Sequence, residues 1–365
     1  MFKTINVTTS SMPPFDEYVE EIRSLWDSRW LSNRGTKSFE FEEALCDYLK
    51  VPNVWLFANG HVALEVALQA LDLSGEVITT PYTHCSTTHA IVRNGLTPVF
   101  CDVEEEHYTI NAELIEGLIT EKTSAIVATH VYGFLCDVDA IESVAKKYGL
   151  RVIYDAAHAF GVERDGVGVG NFGDASMFST HATKVFHTIE GGVVAYRDAE
   201  LFNSLQYLVN FGFTTHEDVD YVGTNARMNE FEAAMGICNL RHVDDEIARR
   251  KVAGNRYYER LGDRPGVRLF DIPLNLKWNY AYFPVIFDSP FNRNAVKAEL
   301  EKEGIFARKY FYPSMDEAAC YASLGSRVPL EISHYASEHV LTLPMAANLT
   351  IDDVDRVCDV ILGCA

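Results

Sequence analysis

Nowhere does the sequence reach the ~20 consecutive apolar residues that a membrane-spanning helix requires. Met1 to Tyr18 holds neither an apolar run nor a small-residue cleavage site behind one. No signal peptide or membrane anchor is therefore expected, and the cytoplasm is the expected compartment. Positive charge is scarce. Lys and Arg number 31 against 52 Asp and Glu, a formal net charge of −21. That balance argues against a broad nucleic-acid surface, which needs clustered cations, although a few convergent donors still suffice for one phosphorylated small molecule.

Paired cysteines are missing too. The eight, Cys46, Cys85, Cys101, Cys136, Cys238, Cys320, Cys358 and Cys364, are scattered with no C-x-x-C among them. No structural zinc site is expected, and they read as free thiols filling the core. H-E-x-x-H, internal repeats and low-complexity tracts are likewise absent. A catalytic metal would have to be held by His84, His130, Asp155 and His158 without any recognised spacing.

What the chain does have is an alternation. Apolar residues at helical spacing run from Phe39 to Lys50 and from Val62 to Leu73, with the short apolar stretch Val54–Phe57 between them. Strand-like segments follow at Glu76–Thr80, Thr97–Val103, Ser124–Thr129, Arg151–Tyr154, Ala175–Ser179 and Gly192–Tyr196. A helix over Asp137–Lys147 is stopped by Gly149. Nearly all-apolar strands alternating with helices indicate an α/β protein whose mostly parallel sheet is covered on both faces. The charged stretch from Asn229 to Tyr258 reads as one long helix. Beyond about residue 265, strand-like Tyr282–Phe287 and helix-like Arg293–Glu303 indicate a smaller α+β domain.

Four clusters fall where strands end, the place at which open α/β sheets bind ligands. Asn59-Gly60-His61 precedes a helix, where a glycine lets backbone approach a phosphate and free amides receive it. Pro81-Tyr82-Thr83-His84 offers a ring to stack on a flat ligand. Asp155-Ala156-Ala157-His158 offers a carboxylate for a cationic ring nitrogen and an imidazole for a ring oxygen. Ser179-Thr180-His181-Ala182-Thr183-Lys184 sets one lysine among hydroxyls, a setting suited to a lowered amine pKa and imine formation, and Glu190-Gly191-Gly192 follows. Singly, each is also the pattern of a cap, a packed loop or a surface lysine. Gly168-Val169-Gly170-Asn171-Phe172-Gly173 matches G-x-G-x-x-G but leads into a strand rather than a helix, so no dinucleotide site is assigned to it.

Taken in order, these pieces resemble the DegT-like family of nucleotide-sugar aminotransferases over nearly the whole chain. Trp30 to Gly35 is similar to that family's W-L-(S/T)-N-x-G, and Asn59-Gly60 to its phosphate turn, with His61 in place of the usual Thr. Asp155 to His158 resembles D-A-A-(Q/H), and Ser179 to Lys184 resembles S-F-H-x-x-K with Thr180 for the aromatic. Gly223 to Met228 is similar to G-x-N-x-R-(M/L), and Arg308 to Pro313 to the segment that approaches the substrate.

The resemblance implies the type I aminotransferase fold, with a large cofactor-binding domain over 1–240 and a small one over 241–365. It implies pyridoxal 5′-phosphate held as a Schiff base on Lys184, with Asp155 on the pyridine nitrogen. Gly60, His61, His84, His158, Ser179 and Asn225 would complete the cofactor site, Asn225 by reaching into the partner subunit of a homodimer with shared active sites. Asn33, Glu190, Arg227, Tyr310 and Tyr312 would face the substrate. Some members carry histidine at the position of Lys184 and are dehydratases, so the lysine implies transamination. The implied substrates are glutamate and a nucleotide-linked keto-6-deoxyhexose, and the motif wording is most like enzymes acting at C4 of dTDP-4-keto-6-deoxyglucose. Amination at C3, a UDP- or GDP-linked sugar, and a non-catalytic binding homologue stay open. So does the destination: a surface polysaccharide such as a lipopolysaccharide O-antigen, a glycoprotein glycan or an antibiotic sugar.

Overall fold

The computed structural model describes residues 4–364. Seven strands build the central sheet: β1 (Asn53–Phe57), β2 (Glu76–Thr79), β3 (Thr97–Phe100), β4 (Thr123–Thr129), β5 (Arg151–Asp155), β6 (Ala175–Ser179) and β7 (Gly192–Tyr196). Their spatial order is β1-β7-β6-β5-β4-β2-β3. β7 runs antiparallel to both of its neighbours, and the remaining pairs are parallel.

Period-2 alternation explains why these strands carry so few polar residues. Along β4, Ala125 and Val127 join a core with Leu64 and Ala67 of the helix Gly60–Ala70. Ile126 and Ala128 point the other way, to Ile141 and Ala145 of the helix Val138–Tyr148. Both faces are covered, so both sets of alternate residues must be apolar.

Two predicted elements end early, each for a visible reason. β3 stops at Phe100, short of Val103, because the backbone beyond it pairs elsewhere: the Asn111 amide donates to the Asp102 carbonyl at 2.9 Å and Val103 bridges Ile110, while the Asp102 carboxylate serves other amides. It accepts from Val103 at 2.9 Å and from Ile332 and Ser333, at the start of the helix Glu331–His339, at 3.0 and 2.8 Å. The single helix expected over 229–258 is two, Glu230–Leu240 and Val243–Leu261. At the corner, Arg241 and His242 hold Glu17 at 2.9 and 2.7 Å, and Arg241 holds Glu21 at 2.6 Å. Those contacts fasten the helix Phe15–Ile22 to the break, which no local periodicity announces.

The C-terminal part holds a three-stranded sheet of Val267–Arg268, Phe283–Phe287 and Val340–Leu343. The helices Val243–Leu261, Arg293–Lys302 and Ile351–Leu362 close a core around Phe283, Val285, Leu341 and Leu343. The start of the chain joins it: Ile5 pairs with Ile305, and the Val7 carbonyl accepts from Met345 at 2.9 Å. Among the described residues no helix is long and apolar enough to cross a membrane.

Glu230 shows how distant segments are locked together. Its fully buried carboxylate accepts from the amides of Gly35 and Lys37 at 3.0 and 2.7 Å and from the Ser38 hydroxyl at 2.5 Å. It therefore caps the helix Thr36–Leu49 from across the sequence, an anion placed at a helix N-terminus. A Cβ on Gly35 would lie 2.6 Å from its Oε2, so only glycine admits this approach. Glu230→Ala strands buried amides and is expected to cost about 1–3 kcal/mol. Thermal denaturation followed by circular dichroism reads the loss, and an unchanged midpoint would remove the cap from the account.

Candidate active site

The ends of β1, β2, β4, β5 and β6 open onto one cavity of about 330 Å³. Its first wall is the start of the helix Gly60–Ala70. The first amides of a helix have no intrahelical acceptor; the Asn59 side chain satisfies that of Val62 at 2.9 Å, and Gly60 and His61 line the cavity. A Cβ on Gly60 would sit 2.9 Å from the Ser179 Cβ, so the glycine brings helix and β6 together and puts the serine hydroxyl beside the amides. His61 turns its Nδ1 to Ser86 Oγ at 2.8 Å and also lines the cavity. Two amides and a hydroxyl at a helix start suit a phosphate.

Lys184 rides on the connection from β6 to β7. Hydrogen bonds from the Thr180 amide to Gly191 and from the Thr188 amide to Thr180, both 2.9 Å, pinch the base of that loop. The Lys184 Nζ donates to the Tyr282 hydroxyl at 3.3 Å. Asp155, at the end of β5, is 3% exposed and accepts from the Ala157 amide at 3.0 Å and from the Thr87 hydroxyl at 2.6 Å. His158 is buried, and its Nδ1 accepts from the Tyr132 amide at 3.1 Å. Its hydrogen is thereby assigned to Nε2. Burial first, and then the Lys184 charge, hold the His158 pKa well below the usual imidazole value, so the ring is neutral. Arg308, Tyr310 and Phe311 form the wall contributed by the C-terminal part. The Arg308 guanidinium lies 5.0 Å over the Tyr310 ring, and burial raises the Tyr310 phenol well above its ordinary value.

The cavity is thus lined by Gly60, His61, His84, Asp155, His158, Ser179, Lys184, Glu190 and Tyr310. Asn33, Asn225, Arg227 and Tyr312 are not among its lining residues. Asn225 accepts from Arg227 at 2.8 Å, and Arg227 shares a separate small cleft with Arg34. Tyr312 is half-exposed between the cations of Arg293 and Lys309, 5.1 and 4.9 Å from its ring. Tyr82 is buried against Tyr132, hydroxyl to hydroxyl at 2.6 Å, which leaves His84 as the ring of that segment facing the cavity. The four residues weighed as metal ligands do not converge: His130 stacks on Tyr154 at 4.5 Å and receives the Cys136 amide. Gly168 to Gly173 forms a strand end and one turn of 3-10 helix, Val169–Asn171, that runs into β6, with no α-helix opened.

The pattern that defines the DegT/DnrJ/EryC1/StrS aminotransferases matches residues 15–362. The chain belongs to this aminotransferase family. It is 39% identical over 364 residues to a dTDP-4-amino-4,6-dideoxy-D-glucose transaminase of Shigella dysenteriae, covering 99% of each chain. It is 30% identical over 341 residues to a GDP-perosamine synthase of Vibrio cholerae, covering 92% of each. The fold is similar to that of DesI, solved in the presence of its TDP-sugar product, with a TM-score of 0.95 and 34% identity over 100% of this chain and 93% of that one. The fold is therefore that of the type I aminotransferases, and the cofactor of this aminotransferase is pyridoxal 5′-phosphate. The residues present fit it: one amine, one buried carboxylate and a helix start with a hydroxyl beside it share a single cavity.

Among the lining residues of the aminotransferase that the sequence reading did not assign are Tyr282 and Arg308. Tyr282 stands next to the strand Phe283–Phe287, where an aromatic reads as core. Arg308 belongs to the segment Arg308–Pro313 already singled out, and its charge in so acidic a chain was the available signal.

Proposed function

We propose that this aminotransferase moves an amino group from glutamate to C4 of dTDP-4-keto-6-deoxyglucose. What carries the reading is Lys184, Asp155 and the helix start at Gly60 on one cavity, in a chain 39% identical over its length to a transaminase whose name is that of the expected product. Bound there, pyridoxal phosphate supplies the carbonyl that exchanges amino groups and the ring that accepts electrons. The chain does the rest. Lys184 holds the cofactor through Nζ and, once released, carries the proton away from the donor carbon and returns it as general base and acid. Asp155 would hold the pyridine nitrogen in its protonated form, the neutral His158 would donate from Nε2 to the ring oxygen, and His84 would supply the stacking ring. The amides of Gly60 and His61 and the Ser179 hydroxyl receive the phosphate. Glu190 and Tyr310 contact the sugar, and Tyr282 receives the Lys184 amine between steps.

The test is direct: the amino-loaded enzyme is offered dTDP-, UDP- and GDP-linked 4-keto-6-deoxyhexoses, and the product is read by mass spectrometry and by NMR for the aminated carbon. Amination at C4 with dTDP preferred is expected. Preference for the GDP sugar would instead favour the reading suggested by the 30% relative.

The working unit is a cytoplasmic homodimer whose sites are shared. Supporting the dimer, the large apolar side chains of Phe39, Phe211, Val219, Tyr221 and Val222 are 44% exposed or more, and exposed apolar surface of this kind marks interaction sites when it is contiguous. Phe39 and Phe211 lie under the guanidinium groups of Arg34 and Arg227, which line the same small cleft. Asn225, Arg227 and Asn33 would then complete the partner's cavity. Asn225→Ala is expected to weaken cofactor binding. Mixed with Lys184→Ala at a cofactor level that leaves each alone inactive, it should restore about a quarter of wild-type activity, because half the dimers carry one intact site. No recovery in refolded mixtures would show that each chain builds its own site.

A further inference from the structure

From Asp155 runs a row of threonine hydroxyls, of which Thr87 lies behind the cavity wall while Thr83 and Thr129 also border the cavity. Thr87 Oγ1 donates to Asp155 Oδ2 at 2.6 Å, Thr83 Oγ1 lies 2.8 Å from Thr87 Oγ1, and Thr129 Oγ1 lies 2.9 Å from Thr83 Oγ1. The four residues are between 0 and 3% exposed. Each hydroxyl owns one hydrogen. That of Thr87 is committed to the carboxylate, so Thr83 must donate to Thr87, and Thr129 to Thr83. While Asp155 is ionised, all three O–H dipoles therefore point toward it. The row is assembled from three places: the turn after β2, the helix Cys85–Arg93 and the end of β4.

We propose that Thr87, Thr83 and Thr129 are positioning residues: a one-way row of hydroxyls that points its dipoles at the Asp155 carboxylate and holds it aimed at the cofactor's ring nitrogen. This rests on the role given to Asp155 above. Each bond in such a row strengthens the next by about 10–30%, so the influence should fade with distance, Thr87 first and Thr129 last.

The experiment uses the holoenzyme and its variants Thr87→Val, Thr83→Val, Thr129→Val and Thr87→Ser, with thermal melting as a check on folding. It reads the pH midpoint of the visible band of lysine-bound cofactor, and the dissociation constant for pyridoxal phosphate. A weaker Asp155 lets positive charge leave the ring, and a less cationic ring holds the neighbouring lysine-linked proton more tightly. The midpoint should therefore rise, by about one pH unit in Thr87→Val. It should rise less in Thr83→Val and least in Thr129→Val, with Thr87→Ser returning to wild type. Cofactor affinity should fall about tenfold in Thr87→Val. A Thr87→Val midpoint equal to wild type overturns the proposal. So does a shift confined to Thr87, which would leave a single hydrogen bond and no row. If wild type shows no visible band with pyridoxal phosphate, the cofactor role of Lys184 and Asp155 fails, and the proposal falls with it.

Discussion

Lys184→Ala is expected to abolish turnover while the protein stays folded and still binds pyridoxal phosphate. Two things are lost together. The covalent hold goes, but the contacts at Gly60, His61, Ser179 and Asp155 come from other elements and remain. The proton carrier goes too, and that loss alone is worth about 10²–10⁴-fold in rate. Borohydride treatment of wild type should fix the cofactor on Lys184, located by peptide mass spectrometry, and should fix none on the variant. Lys184→Arg should not rescue, because a guanidinium stays protonated and cannot take a proton from carbon. Added methylamine should restore part of the rate, since it supplies a base without a tether. Activity of Lys184→Ala within tenfold of wild type would remove the lysine from the chemistry.

Asp155→Asn should have the next largest effect. The substitution keeps the shape and removes the charge, so the ring nitrogen loses an ionised acceptor. A charge-assisted hydrogen bond of this kind is worth about 1.5–3 kcal/mol, or about 10–100-fold in rate. The amide also meets two donors, from Thr87 and Ala157, with a single oxygen to offer. The pH profile separates charge from packing. On the proposed role, the wild-type carboxylate would keep the ring protonated across the neutral range. In Asp155→Asn the ring titrates near its free value, so residual activity should climb as pH falls. Residual activity that is flat with pH would assign Asp155 a structural role.

The legible residues were those whose meaning is local. Asn59-Gly60 before a helix, Asp155 at a strand end and Lys184 among hydroxyls announce themselves within a few positions, and all line the cavity. The strands of the central sheet were equally open to reading, since burial on both faces leaves an apolar run, whereas Val267–Arg268 and Val340–Leu343 of the C-terminal sheet were not read. Tyr282 was hidden because its hydroxyl, 3.3 Å from Lys184, is an accident of tertiary placement 98 residues away. Thr83, Thr87 and Thr129 were hidden for the same reason: threonine is unremarkable in a turn, a helix or a strand, and only their meeting gives them a task. Asp102 and the Arg241–His242 corner belong to the same class. Each lies where an element ends and holds a distant segment, which no window along the chain can contain.

Because β7 reverses direction beside β6, the loop bearing Lys184 leaves and returns on adjacent strands and is pinned at its base. The wall with Arg308 and Tyr310 is hung on a different sheet, through the antiparallel bridge of Arg308 to Thr342. The part that performs the chemistry and the part that faces it are thus separately mounted. The two mountings meet at Tyr310, whose ring lies 5.4 Å from that of Tyr282 and 5.5 Å from that of His158, so whatever reshapes the facing wall is felt at once by the partner of the amine.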